Sequence, residues 1–221
     1  MDLLLVRHGE SEANAEGRLQ GSLDYPLSER GRAQAGQLAR WLDKNGVGWD
    51  FAFCSPLLRA KQTAEILCTI DGRPAASIEP DLAELRAGAL EGLTREDMQE
   101  KHPEWMKRSV TQLGDFSEFG GESYDQVQER ATRLIERWTR DYRAANARLL
   151  VVAHGGINFQ LLKRLICLPV PRVAIVRMGN CSVTQVKLRE RRGTFMGELV
   201  FHLPIEMMGM VESADTGALF R

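Results

Sequence analysis

Two histidines of the chain close apolar runs and are each followed at once by glycine. Leu3-Leu4-Leu5-Val6 leads through Arg7 into His8-Gly9, and Leu149 to Ala153 leads into His154-Gly155-Gly156. An imidazole can act as nucleophile, acid or base near neutral pH. Glycine beside it lets a ligand or a second backbone approach closely. A third apolar run, Phe51 to Cys54, ends at Ser55-Pro56, with Arg59 a few residues on. The planar guanidinium of arginine donates to two oxygens of a phosphate or carboxylate at once. Arg7, Arg59 and two imidazoles therefore suggest chemistry on an anion. The remaining histidines, His102 and His202, add no helical i,i+4 pairing and no zinc-type spacing, so no metal is expected. Cys54, Cys68, Cys167 and Cys181 form no CxxC pair and each lies in an apolar stretch; they read as buried, reduced thiols.

The elements that must position these groups follow from hydrophobic spacing. Leu3 to Val6, Phe51 to Cys54 and Leu149 to Ala153 are short unbroken apolar runs, the pattern of buried central strands. Ser28 starts a helix that carries Ala35, Leu38, Ala39 and Leu42 on one face and stops near Gly46. Ser55-Pro56 predicts an N-cap and a first-turn proline for a helix bearing Leu57, Ala60, Ala64 and Leu67. Ser123 to Gln126 has the form of a capping box, and Val127, Ala131, Leu134, Ile135, Trp138 and Tyr142 follow it at helical spacing. A helix through Leu161, Leu162, Leu165 and Ile166 follows His154. Later strands are expected at Val173 to Val176, Ser182 to Leu188 and Leu199 to Leu203.

Buried strands alternating with amphipathic helices imply an α/β fold, a three-layer α/β/α sandwich with a mainly parallel sheet. Ligands bind beyond the carboxyl ends of such strands, which is where the three polar loops fall. Residues 77–122, rich in glycine and proline, with a short helix near Thr94, are expected to form a small inserted cap within one domain spanning 1–203. The tail, 204–221, could cover the pocket, join a homodimer interface or stay loosely ordered.

Composition bounds the partners. The chain has 221 residues, 43% hydrophobic and 27% charged, with a formal net charge of −1. That is ordinary globular composition. It gives no bulk electrostatic case for nucleic acid or an anionic membrane. The apolar N-terminus is too short for a signal-peptide core, and no run reaches the length of a membrane span, so a cytoplasmic location is expected.

Leu5-Val6-Arg7-His8-Gly9-Glu10-Ser11-Glu12-Ala13-Asn14 resembles the signature of the histidine phosphatase superfamily, also called phosphoglycerate-mutase-like. Further blocks match in order: Leu27 to Ala35, Ser55 to Ala64, Glu84 with Gly88, Glu91 and Gly92, Gly120 to Ser123, Val152 to Gly156, and Asn180 to Thr184. The resemblance implies that His8 attacks phosphorus and becomes phosphohistidine, which splits a slow hydrolysis into two displacements. It implies that Arg7, Arg59 and His154 surround the phosphoryl oxygens. Glu84 would protonate the leaving alkoxide and then activate water. Asn14, Gln20, Gly21, Arg86 and Gly155 would bind substrate. The second nitrogen of His8 needs a fixed acceptor, expected to be a backbone carbonyl. No cofactor or metal is needed, because arginine and histidine supply the positive charge.

The family contains phosphatases and mutases. In cofactor-dependent phosphoglycerate mutases a basic run with His and Tyr follows the catalytic glutamate; here Glu84 is followed by Leu85-Arg86-Ala87, and the stretch from Thr94 to Gly120 is shorter. Hydrolysis of a small phosphomonoester is therefore expected, with a mutase as the alternative and a phosphate-recognising binding module third. For specificity, Leu85, Ala87, Trp105, Met106 and Phe119 suggest an apolar cap; Arg86, Lys107, Arg108 and Arg177 suggest instead a partner for a second anionic group. Phosphoserine, phosphoglycerate-type esters, sugar phosphates and α-ribazole phosphate are the candidates.

Overall fold

Leu3 and Leu5 belong to one hydrophobic core and Leu4 and Val6 to another. This follows from the two-residue period of a strand, which sends alternate side chains to opposite faces of its sheet. In the computed structural model, which describes residues 1–70, 72–107, 115–166, 176–191 and 194–208, that strand is β1, Asp2–Arg7. The same alternation holds in β4, Arg148–Ala153, where Leu149, Val151 and Ala153 face one core and Leu150 and Val152 the other. Helices must cover both faces, and they do.

After the short helix α1, Glu12–Ala15, come α2, Glu29–Lys44, and α3, Leu58–Leu67, on one face. On the other lie α6, Tyr124–Tyr142, and α7, Gly155–Leu165. Ser28 caps α2 by accepting from the Gly31 N–H, and Gly46, at φ +64°, ends it in the left-handed region. Ser123 and Gln126 make the expected capping box on α6.

The sheet has six strands in the order β3-β2-β4-β1-β5-β6, where β2 is Phe51–Cys54, β3 Ala76–Ile78, β5 Val183–Arg191 and β6 Thr194–Leu203. β3, β2, β4 and β1 are parallel; β5 and β6 run antiparallel at one edge. The last two strands are longer than their apolar runs, because they pair with each other as an antiparallel hairpin from Val183↔Leu203 to Arg191↔Thr194. Of the expected strand 173–176, only Val176 lies within the described residues, and it is not in a strand.

Ser55 corrects the sequence reading. The helix after β2 begins at Leu58 with Leu57 at its N-cap and no side-chain cap, so Ser55-Pro56 stands before the helix. β3 opens the stretch 77–122 at the sheet edge. Beyond it come a 3₁₀ turn at Pro80–Leu82, another at Gly88–Leu90, and the short helices α4, Arg95–Lys101, capped by Thr94, and α5, Pro103–Met106. Ile205 and Met208, at the start of the tail, pack into the α2–α3 core. No helix among the described residues is long and apolar enough to cross a membrane.

Candidate active site

Parallel register brings three loop residues to one end of the sheet. Arg7 pairs with Ala153 and Cys54 with Val152, so the chain leaves β1, β4 and β2 side by side. The His8 N–H then donates to the Ala153 carbonyl at 3.0 Å and the Ser55 N–H to that of Val152 at 3.0 Å. His8 and His154 end with ring centroids 5.1 Å apart at an interplanar angle of 60°.

The His8 ring is fixed through Nδ1, 2.6 Å from the Gly9 carbonyl oxygen. A carbonyl only accepts, so Nδ1 carries the proton and Nε2 keeps its lone pair. Burial above all, then the charges of Arg7 and Arg59, hold the imidazole well below the usual histidine range. The ring is therefore neutral and nucleophilic at neutral pH. His154 is lowered in the same way, by burial first and then by His8, Arg59 and Arg7. Its Nε2 lies 2.7 Å from Ser55 Oγ, which also accepts from the Leu57 N–H at 3.2 Å. Among the described residues the Ser55 hydroxyl meets no other acceptor, so its O–H donates to Nε2 and the His154 proton sits on Nδ1.

Arg59 is buried and Arg7 half-buried. Arg7 Nη1 donates to the Met178 carbonyl at 2.6 Å; Arg59 Nη1 and Nη2 donate to those of Leu23 at 2.7 Å and Gly21 at 2.9 Å. Burial lowers both guanidinium groups, Arg59 to about 10, so both stay charged at neutral pH. Neither is fully satisfied. Arg7 Nε, Arg59 Nε and His154 Nδ1 are buried donors without a partner. Such orphans are costly unless a ligand completes them. Three near one imidazole make a socket for an oxyanion.

Glu84 lines the same cavity as Arg7, His8 and Arg59. Its carboxylate accepts from the Gly156 and Ile157 N–H groups at 3.1 and 3.2 Å and from its neighbour Leu85 at 3.1 Å. His154 is the N-cap residue of α7 but makes no side-chain cap bond. Glu84 thus supplies the cap from a distant segment. A Cβ on Gly156 would lie 2.6 Å from Glu84 Oε1, so this second glycine of the pair makes room for the carboxylate.

A cavity of about 280 Å³ is lined by Arg7, His8, Arg59 and Glu84, with Asn14, Gln20 and Gly21 among its other walls. Asn14 Oδ1 accepts from the Ser11 N–H and the Asn180 amide, which leaves its NH₂ as the donor side. Gln20 Oε1 accepts from Ser11 Oγ at 2.7 Å. Gly21 contributes its carbonyl to Arg59, at φ +52° with the Glu91 carboxylate where a Cβ would stand. Gly155 borders the Arg7 guanidinium. Arg86 is not brought in: its side chain is exposed and lines no part of the cavity. Lys107 pairs with Glu104, Arg177 is exposed, and Arg108 lies outside the described residues. Of the apolar candidates, Leu85 lines the cavity; Trp105 packs against Phe116 and Phe119 instead. A larger concavity of about 610 Å³, lined by α6 and α7 residues including Arg140 and Arg164, holds none of these reactive groups.

Sequence reasoning missed Arg18, Leu19 and Phe116 in the cavity wall and the Ser55–His154 bond. Ser55 had a signal: it ends β2 just as His8 and His154 end the runs of β1 and β4. Thr63 was also missed. Its Oγ donates to the Arg59 carbonyl at 2.7 Å and accepts from the Gly9 N–H at 3.0 Å, tying the helix of one cation to the loop of the nucleophile. Among the described residues no three His, Cys, Asp or Glu side chains gather as a metal site requires.

Known proteins resemble this chain in sequence and in fold. The sequence model of the histidine phosphatase superfamily (branch 1) matches residues 3–197. The chain is similar to a metal-independent phosphoserine phosphatase of Arabidopsis thaliana, 33% identical over 86% of this chain and 78% of that one. It is also similar to a probable phosphoglycerate mutase of Escherichia fergusonii, 31% identical over 99% of this chain and 97% of the other. Among solved structures, a mycobacterial glucosyl-3-phosphoglycerate phosphatase complexed with VO3 superposes with a TM-score of 0.78 at 30% identity, covering 90% of this chain and 96% of that one. A putative α-ribazole-5′-phosphate phosphatase from Escherichia coli gives 0.75 at 28% identity, covering 93% and 98%. The chain belongs to the histidine phosphatase superfamily.

Proposed function

We propose that the protein is a metal-independent phosphatase that hydrolyses a small phosphomonoester through a phosphohistidine at His8. The observation that carries this reading is the His8 ring, neutral and fixed through Nδ1 on the Gly9 carbonyl, beside three buried donors that lack partners. His8 Nε2 attacks phosphorus as the bond from phosphorus to the ester oxygen breaks. Glu84 gives its proton to the departing alkoxide, a poor leaving group that needs one. Arg7, Arg59 and His154 hold the equatorial oxygens, where charge is spread in the transition state. In the second half, Glu84 takes a proton from water as the water oxygen attacks phosphorus and Nε2 leaves. The products are alcohol, inorganic phosphate and the starting enzyme.

The mutase reading has a relative that spans nearly the whole chain. It needs a cation for the carboxylate of phosphoglycerate; Arg86, the basic residue next to the acid, points away from the cavity, and Arg18 in the cavity wall is already paired with Glu16 and the Gly92 carbonyl. The test mixes the protein with p-nitrophenyl phosphate, and separately with 3-phosphoglycerate plus 2,3-bisphosphoglycerate. Phosphate release that vanishes in His8→Ala is expected. Isomerisation without release would replace hydrolysis by the mutase reading, and inactivity on these and a panel of phosphate esters would leave a binding module.

A further inference from the structure

Glu84 sits in a stretch of chain that no ladder of regular hydrogen bonds holds. It lies between the 3₁₀ turns Pro80–Leu82 and Gly88–Leu90. Its backbone must be secured some other way if the carboxylate is to meet the α7 N-terminus and the cavity. One ion pair does this on both sides of Glu84. Arg130 Nη1 donates to the carbonyls of Asp81 at 2.7 Å and Ala83 at 3.0 Å. Arg130 Nε and Nη2 form a bidentate pair with Glu122, at 2.9 and 3.0 Å. Glu122 Oε2 in turn accepts from the Arg86 N–H at 3.0 Å, and the Glu122 N–H donates to the Arg86 carbonyl at 2.8 Å.

Other arginines on the same face of α6 pair with this region too. Arg133 meets Asp81 and Arg137 meets Glu79. They are more open, with side chains 56% and 40% exposed, whereas Arg130 and Glu122 are 13% and 9% exposed. Exposed pairs contribute little, while a shielded bidentate fork fixes geometry. Only the Arg130–Glu122 pair, among these, touches backbone both before and after Glu84.

We infer that Glu122 and Arg130 are positioning residues that hold Glu84 in register with the leaving-group oxygen, so that proton transfer, and not phosphoryl binding, depends on them. This rests on the reading of Glu84 as the general acid. The clamp makes no hydrogen bond to His8 or to the orphaned donors, and the Arg130 charge is the weakest of the influences on His154, so its loss acts chiefly on the step that needs a proton delivered.

The test compares benzyl phosphate, whose alkoxide leaves poorly, with p-nitrophenyl phosphate, whose phenolate leaves without help. The constant kcat/KM isolates the first phosphoryl transfer. In Arg130→Met it should fall by about 30-fold for the benzyl ester and by less than about threefold for the aryl ester, within the range a general acid supplies. Glu122→Gln, which keeps shape and an acceptor, should lower the benzyl ester alone by about tenfold. Arg130→Lys should recover part of the loss. On a Glu84→Gln background Arg130→Met should change kcat/KM for either ester by less than about twofold, because the two act through one group. Equal losses on both esters, or an undiminished loss on the Glu84→Gln background, would overturn the clamp. If Arg130→Met does not fold, Glu122→Gln and Arg130→Lys decide on the same two esters. A benzyl-selective loss in Glu84→Gln without one in the clamp variants rejects the clamp alone; no selective loss in Glu84→Gln rejects the acid itself.

Discussion

The two halves of the active site are built by different means. The half proposed to attack phosphorus, Arg7, His8, Ser55 and His154, hangs from the ends of adjacent parallel strands and is placed by sheet register. The half proposed to supply the proton, Glu84, rides on turns and is placed by side-chain bonds: three N–H groups on its carboxylate and the Arg130–Glu122 pair on the backbone either side of it. The strand-built half is as rigid as the core beneath it. The turn-built half depends on single polar contacts. Damage to the first should therefore affect every substrate, and damage to the second should select by leaving group.

The largest effect is expected at the centre of the strand-built half. His8→Ala should lower kcat by at least about 10⁴-fold on aryl and alkyl esters alike, since no route avoids the nucleophile. Substantial turnover in a rate assay would break the comparison at its root. Arg59→Ala removes one preorganised cation and should lower kcat/KM about 10²-fold, again for both ester classes. A loss confined to alkyl esters would move Arg59 to the acid half. Ser55→Ala should cost about fivefold in kcat, the scale of one net hydrogen bond, by loosening the His154 ring. An unchanged kcat would remove that bond from the account.

The smallest effect is on stability. His8 and His154 are both held neutral in the fold, below their unfolded value near 6.5. Below that pH the unfolded chain binds protons that the folded chain does not, so stability falls on acidification and is fully present above it. Each ring should cost about 1 kcal/mol between pH 7.5 and 5.5. Denaturant melts of wild type and His8→Gln in phosphate-free buffer check this. His202 is also lowered by burial, so the variant should keep roughly two-thirds of the histidine-linked slope; an unaltered slope would mean that His8 takes up protons alike in the folded and unfolded chain.

The same division explains what the sequence made legible. Apolar runs ending in His8, His154 and Ser55 report parallel strands directly, and the caps at Ser28, Thr94 and Ser123 mark their helices. The Gly9 carbonyl under His8 follows from chemistry, since a nucleophilic imidazole needs an acceptor on its other nitrogen. Local signals fail where distant segments meet. Ser55-Pro56 reads as a cap, yet its hydroxyl serves His154, 99 residues away. Glu122 and Arg130 look like the start of an ordinary amphipathic helix, because nothing near them points to residues 81–86. Arg86 looks like a substrate ligand from its place beside Glu84, but the turn sends it to solvent while Leu85 faces the cavity.

The central claim is a covalent bond from phosphorus to one nitrogen. Rapid acid-free quenching of the protein with labelled p-nitrophenyl phosphate, followed by peptide mapping, tests it most directly. The account predicts an acid-labile, alkali-stable phosphoryl group on Nε2 of His8, formed in step with the first turnover and missing from His8→Ala. Label on another side chain, or turnover at full rate with His8 never phosphorylated, would contradict it.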